Sequence, residues 1–219
     1  MPNKAFSLVE LSIVLVILGL LTGGILAGQS LIRAAEIRSV SADFNRYSAA
    51  SMAFRDKYMA LPGDMRNATS FWGTDSGGCP NGGGSTGTCN GNGDGIIGNG
   101  TLGNTCENQE FWRQLALAGL IEGKYTPQTA ANCFSNSIPG TDSAKLRIAD
   151  SGMLITYVGP VTTNASFPGT VVFQGNYQNV YFIARVGGTN GVPLTPMLKP
   201  EEQWSVDTKL DDGLPGKGN

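Results

Sequence analysis

The sequence predicts an α+β fold in which one long N-terminal helix precedes a smaller antiparallel sheet. Three observations predict it. The chain starts with an apolar stretch, Ala5–Gly28, that carries a single charge, Glu10. The segment that follows, as far as Tyr58, keeps its apolar residues on one helical face. Later the pattern changes to short runs rich in Val, Ile, Tyr and Phe, bounded by Gly, Pro and Asn, which is the composition of strands.

The apolar stretch comes first. Leu11–Gly28 carries no charge, and at about 1.5 Å per helical residue it approaches the roughly 30 Å of a bilayer core. Lys4 precedes it and a large polar region follows, so the N-terminus stays in the cytoplasm and the rest is exported. No small-residue cleavage site closes the apolar core, which runs on into LAGQSLIRAAEIRSV with helical character; the anchor is retained. Glu10 stands out, because a carboxylate there costs on the order of 2–3 kcal/mol unless it finds a partner.

The residues Lys4-Ala5-Phe6-Ser7-Leu8-Val9-Glu10 and the apolar run after them resemble the processing site of type IV prepilins and of the related pseudopilins of type II secretion. The resemblance covers about the first thirty residues. It implies that a prepilin peptidase removes residues 1–5 by cleaving between Ala5 and Phe6, and that the new Phe6 amine is methylated. It also implies that Glu10 pairs with the Phe6 amine of a neighbouring subunit and so sets the register of a helical homopolymer, offsetting the cost of two charges in an apolar setting. Residues 6–28 would then serve as membrane-spanning and polymerisation helix, 29–60 as its amphipathic continuation and 61–219 as an exported head. The implied shape is a ladle, with the head's sheet packed on the C-terminal half of the helix. Gly19 with Gly23 and Gly24 with Gly28 form two small-xxx-small pairs that let helices approach closely. They also weaken the helix by roughly 1 kcal/mol each, so any loosening during assembly relies on glycine.

In the second half of the helix, Ile37, Val40, Phe44, Tyr47, Ser51, Phe54 and Tyr58 recur at three- and four-residue steps, with Arg33, Glu36, Asp43, Arg46 and Asp56 mainly elsewhere. This face is for packing. Leu61-Pro62-Gly63-Asp64 ends the helix. Asp64 or Asn67 is positioned to cap a short segment presenting Phe71 and Trp72. Asn104 and Glu107 open a further helix that covers Gln109–Ala118 and stops at Gly119. Strands are expected at Leu146–Ile148, Met153–Val158, Thr170–Gln174 and Val180–Val186, with a hairpin turn at Gly175-Asn176. Pro196–Leu210 reads as a last short helix, and Leu214–Asn219 as a loose tail.

Gly73–Asn104 is rich in Gly, Asn, Ser and Thr and reads as an irregular surface loop. A loop of that length in a compact unit is functional, tied down or disordered. It holds Cys79 and Cys89; Cys106 and Cys133 follow. Four cysteines in an exported region suggest two disulfides with three possible pairings. Cys79 with Cys89 closes a short glycine loop easily, and Cys106 with Cys133 would staple the next helix to its loop. Asn90, Asn92 and Asp94 repeat oxygens at alternate positions, like the first half of a calcium loop, although Thr101 stands where the bidentate acid belongs. Asp207, Asp211 and Asp212 form a second acidic group for calcium. In both places a turn or a solvated helix end accounts for the same residues. Asn67-Ala68-Thr69, Asn99-Gly100-Thr101 and Asn164-Ala165-Ser166 fit the glycosylation triplet at the frequency chance allows.

A net charge of −2 gives no footprint for nucleic acid. The chain has no histidine, which removes Ser-His-Asp and Cys-His catalysis and the common zinc sites. The reading that follows is a structural subunit, the major pilin of a type IV-like pilus. It would be inserted in the inner membrane as a precursor and then displayed at the cell surface by the pilus assembly machinery. A pseudopilin of type II secretion, an adhesin-like minor pilin presenting Gly73–Asn104, and a membrane-tethered enzyme are the rival classes.

Overall fold

A computed structural model describes residues 7–79, 83–98, 106–127, 137–161, 175–185, 196–210 and 213. Its first element, helix α1, runs without interruption from Leu8–Tyr58, 51 residues. Ser7 starts it: its hydroxyl oxygen accepts from the Val9 N–H at 3.3 Å, and its own N–H donates to Glu10 Oε2 at 2.9 Å, a reciprocal cap. Met59 ends it in the left-handed conformation (φ 54°) and donates to Arg55 O. The two halves of α1 have opposite surroundings. The apolar window of the first half has no buried residue, and Leu8, Leu20 and Leu31 are 84, 73 and 72 % exposed. In the second half Val40, Tyr47 and Phe54, two turns apart, are buried, with Ile37, Phe44 and Tyr58 packed against the same core. The expected face is thus the packing face. Asp43, expected mainly off it, is buried as well, with the Arg46 guanidinium 3.5 Å away.

The core is completed by α3 (Glu107–Leu117) and a three-stranded antiparallel sheet ordered β1 (Ala144–Lys145), β2 (Ser151–Val161), β3 (Gly175–Arg185). Trp112 lies edge-on to Tyr47 of α1 at 5.1 Å between ring centroids and to Phe111 at 5.0 Å. Tyr181 of β3 meets Phe44 of α1 at 5.7 Å and Phe111 at 6.0 Å, so aromatic rings join helix, helix and sheet. Edge-on pairs of this kind contribute about 0.5–1.5 kcal/mol beyond area burial. The class is α+β, as expected.

Local details differ from the sequence reading. Leu146–Ile148 is not a strand: pairing with β2 stops at Lys145, and the buried Leu146 and Ile148 lie in the turn leading to Ser151. Gly175-Asn176 is not a turn; these residues pair with Val161 and Pro160, because ladder pairing extends both strands past the local turn signal. The expected strand Thr170–Gln174 lies outside the described residues, as does the tail apart from its neighbour Gly213. Met153–Val158 and most of Val180–Val186 fall within β2 and β3.

The short helix α2 (Ala68–Trp72) forms where expected, but neither Asp64 nor Asn67 caps it with its side chain. Asn90, arriving from the glycine-rich loop, accepts from the Thr69 N–H at 2.8 Å instead. Gly119 (φ 73°) stops α3, with Leu120 N–H donating back to Leu115 O at 3.0 Å, a left-handed glycine stop. Gly63 is required where it stands: it has φ 81°, and a Cβ there would sit 2.2 Å from Glu107 O. The last helix, α4 (Pro200–Leu210), packs on α1 through Val206 in the core and an Arg33–Glu202 ion pair.

Candidate functional site

Two surfaces carry the functional argument: the bare half of α1, and the loop platform on the head. On α1, Glu10 lies in the first turn, where a carboxylate faces the positive end of the helix dipole. Its carboxylate is occupied within its own chain by the Ser7 N–H. Ala5 and Phe6 lie outside the described residues. Gly19, Gly23, Gly24 and Gly28 are all helical, and a Cβ at any of them would meet no atom within 4 Å. Each pair is spaced four residues and shares a face. Together with the exposed Leu, Ile and Val side chains they make an uncovered apolar rod with small notches.

The platform is built on α3. Glu107 through Leu115 are all buried, including Glu107, Asn108, Gln109, Glu110, Arg113 and Gln114, so this helix is covered all round. Its polar side chains hold the glycine-rich loop. Glu107 accepts from Asn92 N–H at 3.1 Å and Gly98 N–H at 3.0 Å. Glu110 accepts from the Thr88 hydroxyl at 2.6 Å. Arg113 pairs with Asp75 and donates to Gly84 O at 3.0 Å. Gln114 accepts from Gly63 N–H at 2.7 Å and donates to Cys89 O at 3.1 Å. Asp75 in turn accepts from Gly77 and Gly84 N–H. A polar loop has few apolar groups to bury, so its order comes from satisfying backbone groups with buried side chains.

Asp64 does the same from the other side. Its carboxylate accepts from the N–H groups of Gly93 (2.5 Å), Asp94 (3.2 Å) and Gly95 (2.8 Å), an anion seated in a nest of successive amides. Burial pushes its pKa up despite those bonds, and does so for Glu107 too. Burial pushes Glu110 furthest, to about 7, against the pull of Thr88 and the Arg113 charge. Among the described residues, Glu110 Oε1 is buried without a hydrogen-bond partner, 3.9 Å from Arg113.

Cys79 and Cys89 are disulfide-bonded, as expected. Cys106 is also disulfide-bonded; the expected pairing with Cys133 falls outside the described residues. Asp75, Cys89 and Glu110 bring their ligand atoms within 4.8 Å of one another. The Cys89 sulfur is in the disulfide and Asp75 is paired with Arg113, so two of the three members are already engaged within the protein. Of the residues considered for calcium, Asn92 and Asp94 share one turn: Asn92 donates to Asp94 Oδ2 at 2.8 Å and accepts from Asp94 N–H at 2.9 Å. Asp94 Oδ1 accepts from Ile96 N–H. Asn90 is turned to α2. Asp207 is half-buried on α4, while Thr101, Asp211 and Asp212 lie outside the described residues. The described part of the loop is therefore tied down, and partly interior: Thr88, Cys89 and Ile97 are buried.

Sequence reasoning missed Asp64, Asp75, Glu107, Glu110, Arg113 and Gln114 as the loop's holdfasts. A signal existed. A helix written ENQEFWRQL, with six polar residues in nine, follows a loop with almost no apolar content of its own, and each supplies what the other lacks.

Residues 1–26 match a family model, the prokaryotic N-terminal methylation motif, which is the prepilin-type motif of type IV pilins and pseudopilins. No curated protein and no solved structure matches the chain.

Proposed function

We propose that this chain is the major structural subunit of a type IV-like pilus. The observation that carries the reading is the conjunction of the methylation motif at residues 1–26 with a 51-residue helix whose first half is bare and apolar and whose second half is sunk in the head. A bare apolar rod is stable only in a membrane or against other rods. The precursor is held in the inner membrane, loses residues 1–5 to a prepilin peptidase and gains a methyl group on Phe6. It then moves from lipid to a core of packed helices, where the glycine notches admit close approach.

Glu10 has a defined place in this sequence of events. In the single chain it caps its own helix through Ser7; in the filament it takes the Phe6 amine of a neighbour, exchanging one local hydrogen bond for a charge-assisted one that fixes register. The head is the displayed surface, and the motif's association with structural subunits points away from an enzyme. The tightly held loop favours a durable outer surface: glycine-rich backbone is fixed by a disulfide and by the polar side chains of α3.

Immunogold microscopy of filaments sheared from cells tests the reading. Labelling along whole filaments supports a major subunit. Labelling confined to tips refutes it in favour of a minor, adhesin-like subunit, and labelling found only in membranes refutes it in favour of a pseudopilin.

A further inference from the structure

Helix α4 packs on α1 where its bare apolar run ends. The uncovered apolar run of α1 extends to Leu31 and Ile32, 72 and 64 % exposed, and the next residue, Arg33, grips α4. Arg33 Nε donates to Glu202 Oε1 at 2.8 Å and one terminal nitrogen to Glu202 Oε2 at 2.6 Å; the same nitrogen donates to Met197 O at 3.0 Å. Two parallel bonds from a planar guanidinium fix orientation as well as distance. Arg33 lies five residues, about 7.5 Å, beyond Gly28. The headgroup layer on each face of a bilayer is roughly 5–8 Å thick.

From the turn that Arg33 holds, α4 presents Trp204, 62 % exposed. Trp204 shares an outward face with Glu201 and Thr208, all exposed, while Val206 points into the core. An exposed indole beside the end of a membrane span has the chemistry of the interfacial belt, with an apolar ring body and one N–H donor for the wet side.

We propose that α4 is an interfacial anchor. In the membrane-held precursor, Trp204 inserts into the outer headgroup layer of the phospholipid bilayer, with Arg33 as the positioning residue that sets its depth. Continuity with the apolar surface of α1 selects the lipid: the exposed run ends one residue before the grip on α4. The contact is not electrostatic: the face that Trp204 shares carries Glu201 and no cation, so the indole itself makes it. The anchor holds the head against the membrane until assembly lifts the subunit out. The inference rests on the membrane-spanning reading of α1.

The test uses the full chain reconstituted in vesicles of phosphatidylethanolamine and phosphatidylglycerol with nitroxide-labelled lipids. Fluorescence is taken as the difference between wild type and Trp204→Phe, which removes the shared signal of Trp72 and Trp112. Flotation of the same vesicles reports whether the chain is inserted. With insertion established, labels near the headgroups should quench the Trp204 component at least about two-fold more than labels at the chain ends, as a belt position requires. Arg33→Ala should lower that quenching while leaving flotation unchanged. Inserted chain whose Trp204 is reached by aqueous iodide and not by lipid labels overturns the anchor and leaves the span intact. Quenching indifferent to Arg33→Ala overturns the positioning role. Trp204 that becomes shielded only on polymerisation assigns the face to a second copy instead. Failure to float overturns the span and the anchor together.

Discussion

Replacing Arg113 with methionine tests whether the glycine-rich loop is held from α3. The guanidinium is 3 % exposed and its partner Asp75 is fully buried at the side chain. The substitution keeps most of the stem's packing but removes the ion pair and the bond to Gly84 O. Two costs follow. Asp75 keeps its N–H donors from Gly77 and Gly84 but loses its countercharge, and breaking a buried pair from one side costs about 3–5 kcal/mol. Gly84 O loses its donor, for about 1 kcal/mol more if water does not replace it. Because some water reaches a loosened loop, the lower end applies, about 3 kcal/mol. Urea denaturation of the full chain in detergent, followed by Trp fluorescence, reads the loss. Hydrogen exchange locates it, and amides of residues 83–91 should lose protection before those of β2. Adding Asp75→Asn should recover part of the loss, since it removes the stranded charge. A loss below about 1 kcal/mol, or protection lost first in the sheet, would refute the idea that α3 organises the loop.

Other consequences are as direct. Glu110, with its pKa raised from 4.5 to about 7 by burial, binds a proton in the folded chain that the unfolded chain releases. Its favourable contribution is complete below about pH 4.5 and lost as pH rises through about 7. Glu110→Gln should therefore leave acid stability nearly unchanged and gain on the order of 3 kcal/mol over wild type above pH 8, read as the difference between their denaturation midpoints; parallel profiles would count against it. Gly63→Ala should cost at least about 3 kcal/mol, from the left-handed backbone and the overlap with Glu107 O, by thermal melting. Replacing Cys79 and Cys89 with serine together should cost about 3 kcal/mol, the loop-closure value for a bridge spanning 10 residues, with no effect on membrane insertion in a flotation assay. Glu10→Leu should leave insertion intact and abolish incorporation into filaments, scored by the sheared fraction.

The elements legible in the sequence were those with a strong period. α1 could be read end to end because its first half is continuously apolar and its second half spaces Val40, Tyr47 and Phe54 by two turns. Met153–Val158 and Val180 onward declared themselves as strands through β-branched and aromatic residues. What escaped was decided by partners distant in the chain. The turn signal at Gly175-Asn176 yielded to ladder pairing with Val161 and Pro160. Asp64 looked like a helix cap, but three loop amides about thirty residues later outbid α2 for its oxygens. The burial of the polar positions of α3 was not legible, because nothing local says that a glycine-rich loop will fold over them. Glu10 and the glycines of α1 were legible from spacing alone because, among the described residues, Glu10 bonds only to nearby Ser7 and a Cβ at any of the glycines would meet nothing.

The central claim is that this chain is processed at its N-terminus and polymerised. Intact-mass and N-terminal peptide analysis of protein sheared from the cell surface, separated from membranes, tests it most directly. The account predicts a chain that begins at Phe6 with a methylated amine and is recovered in the filament fraction. A chain that still begins at Met1, or one confined to the membrane fraction, would contradict it.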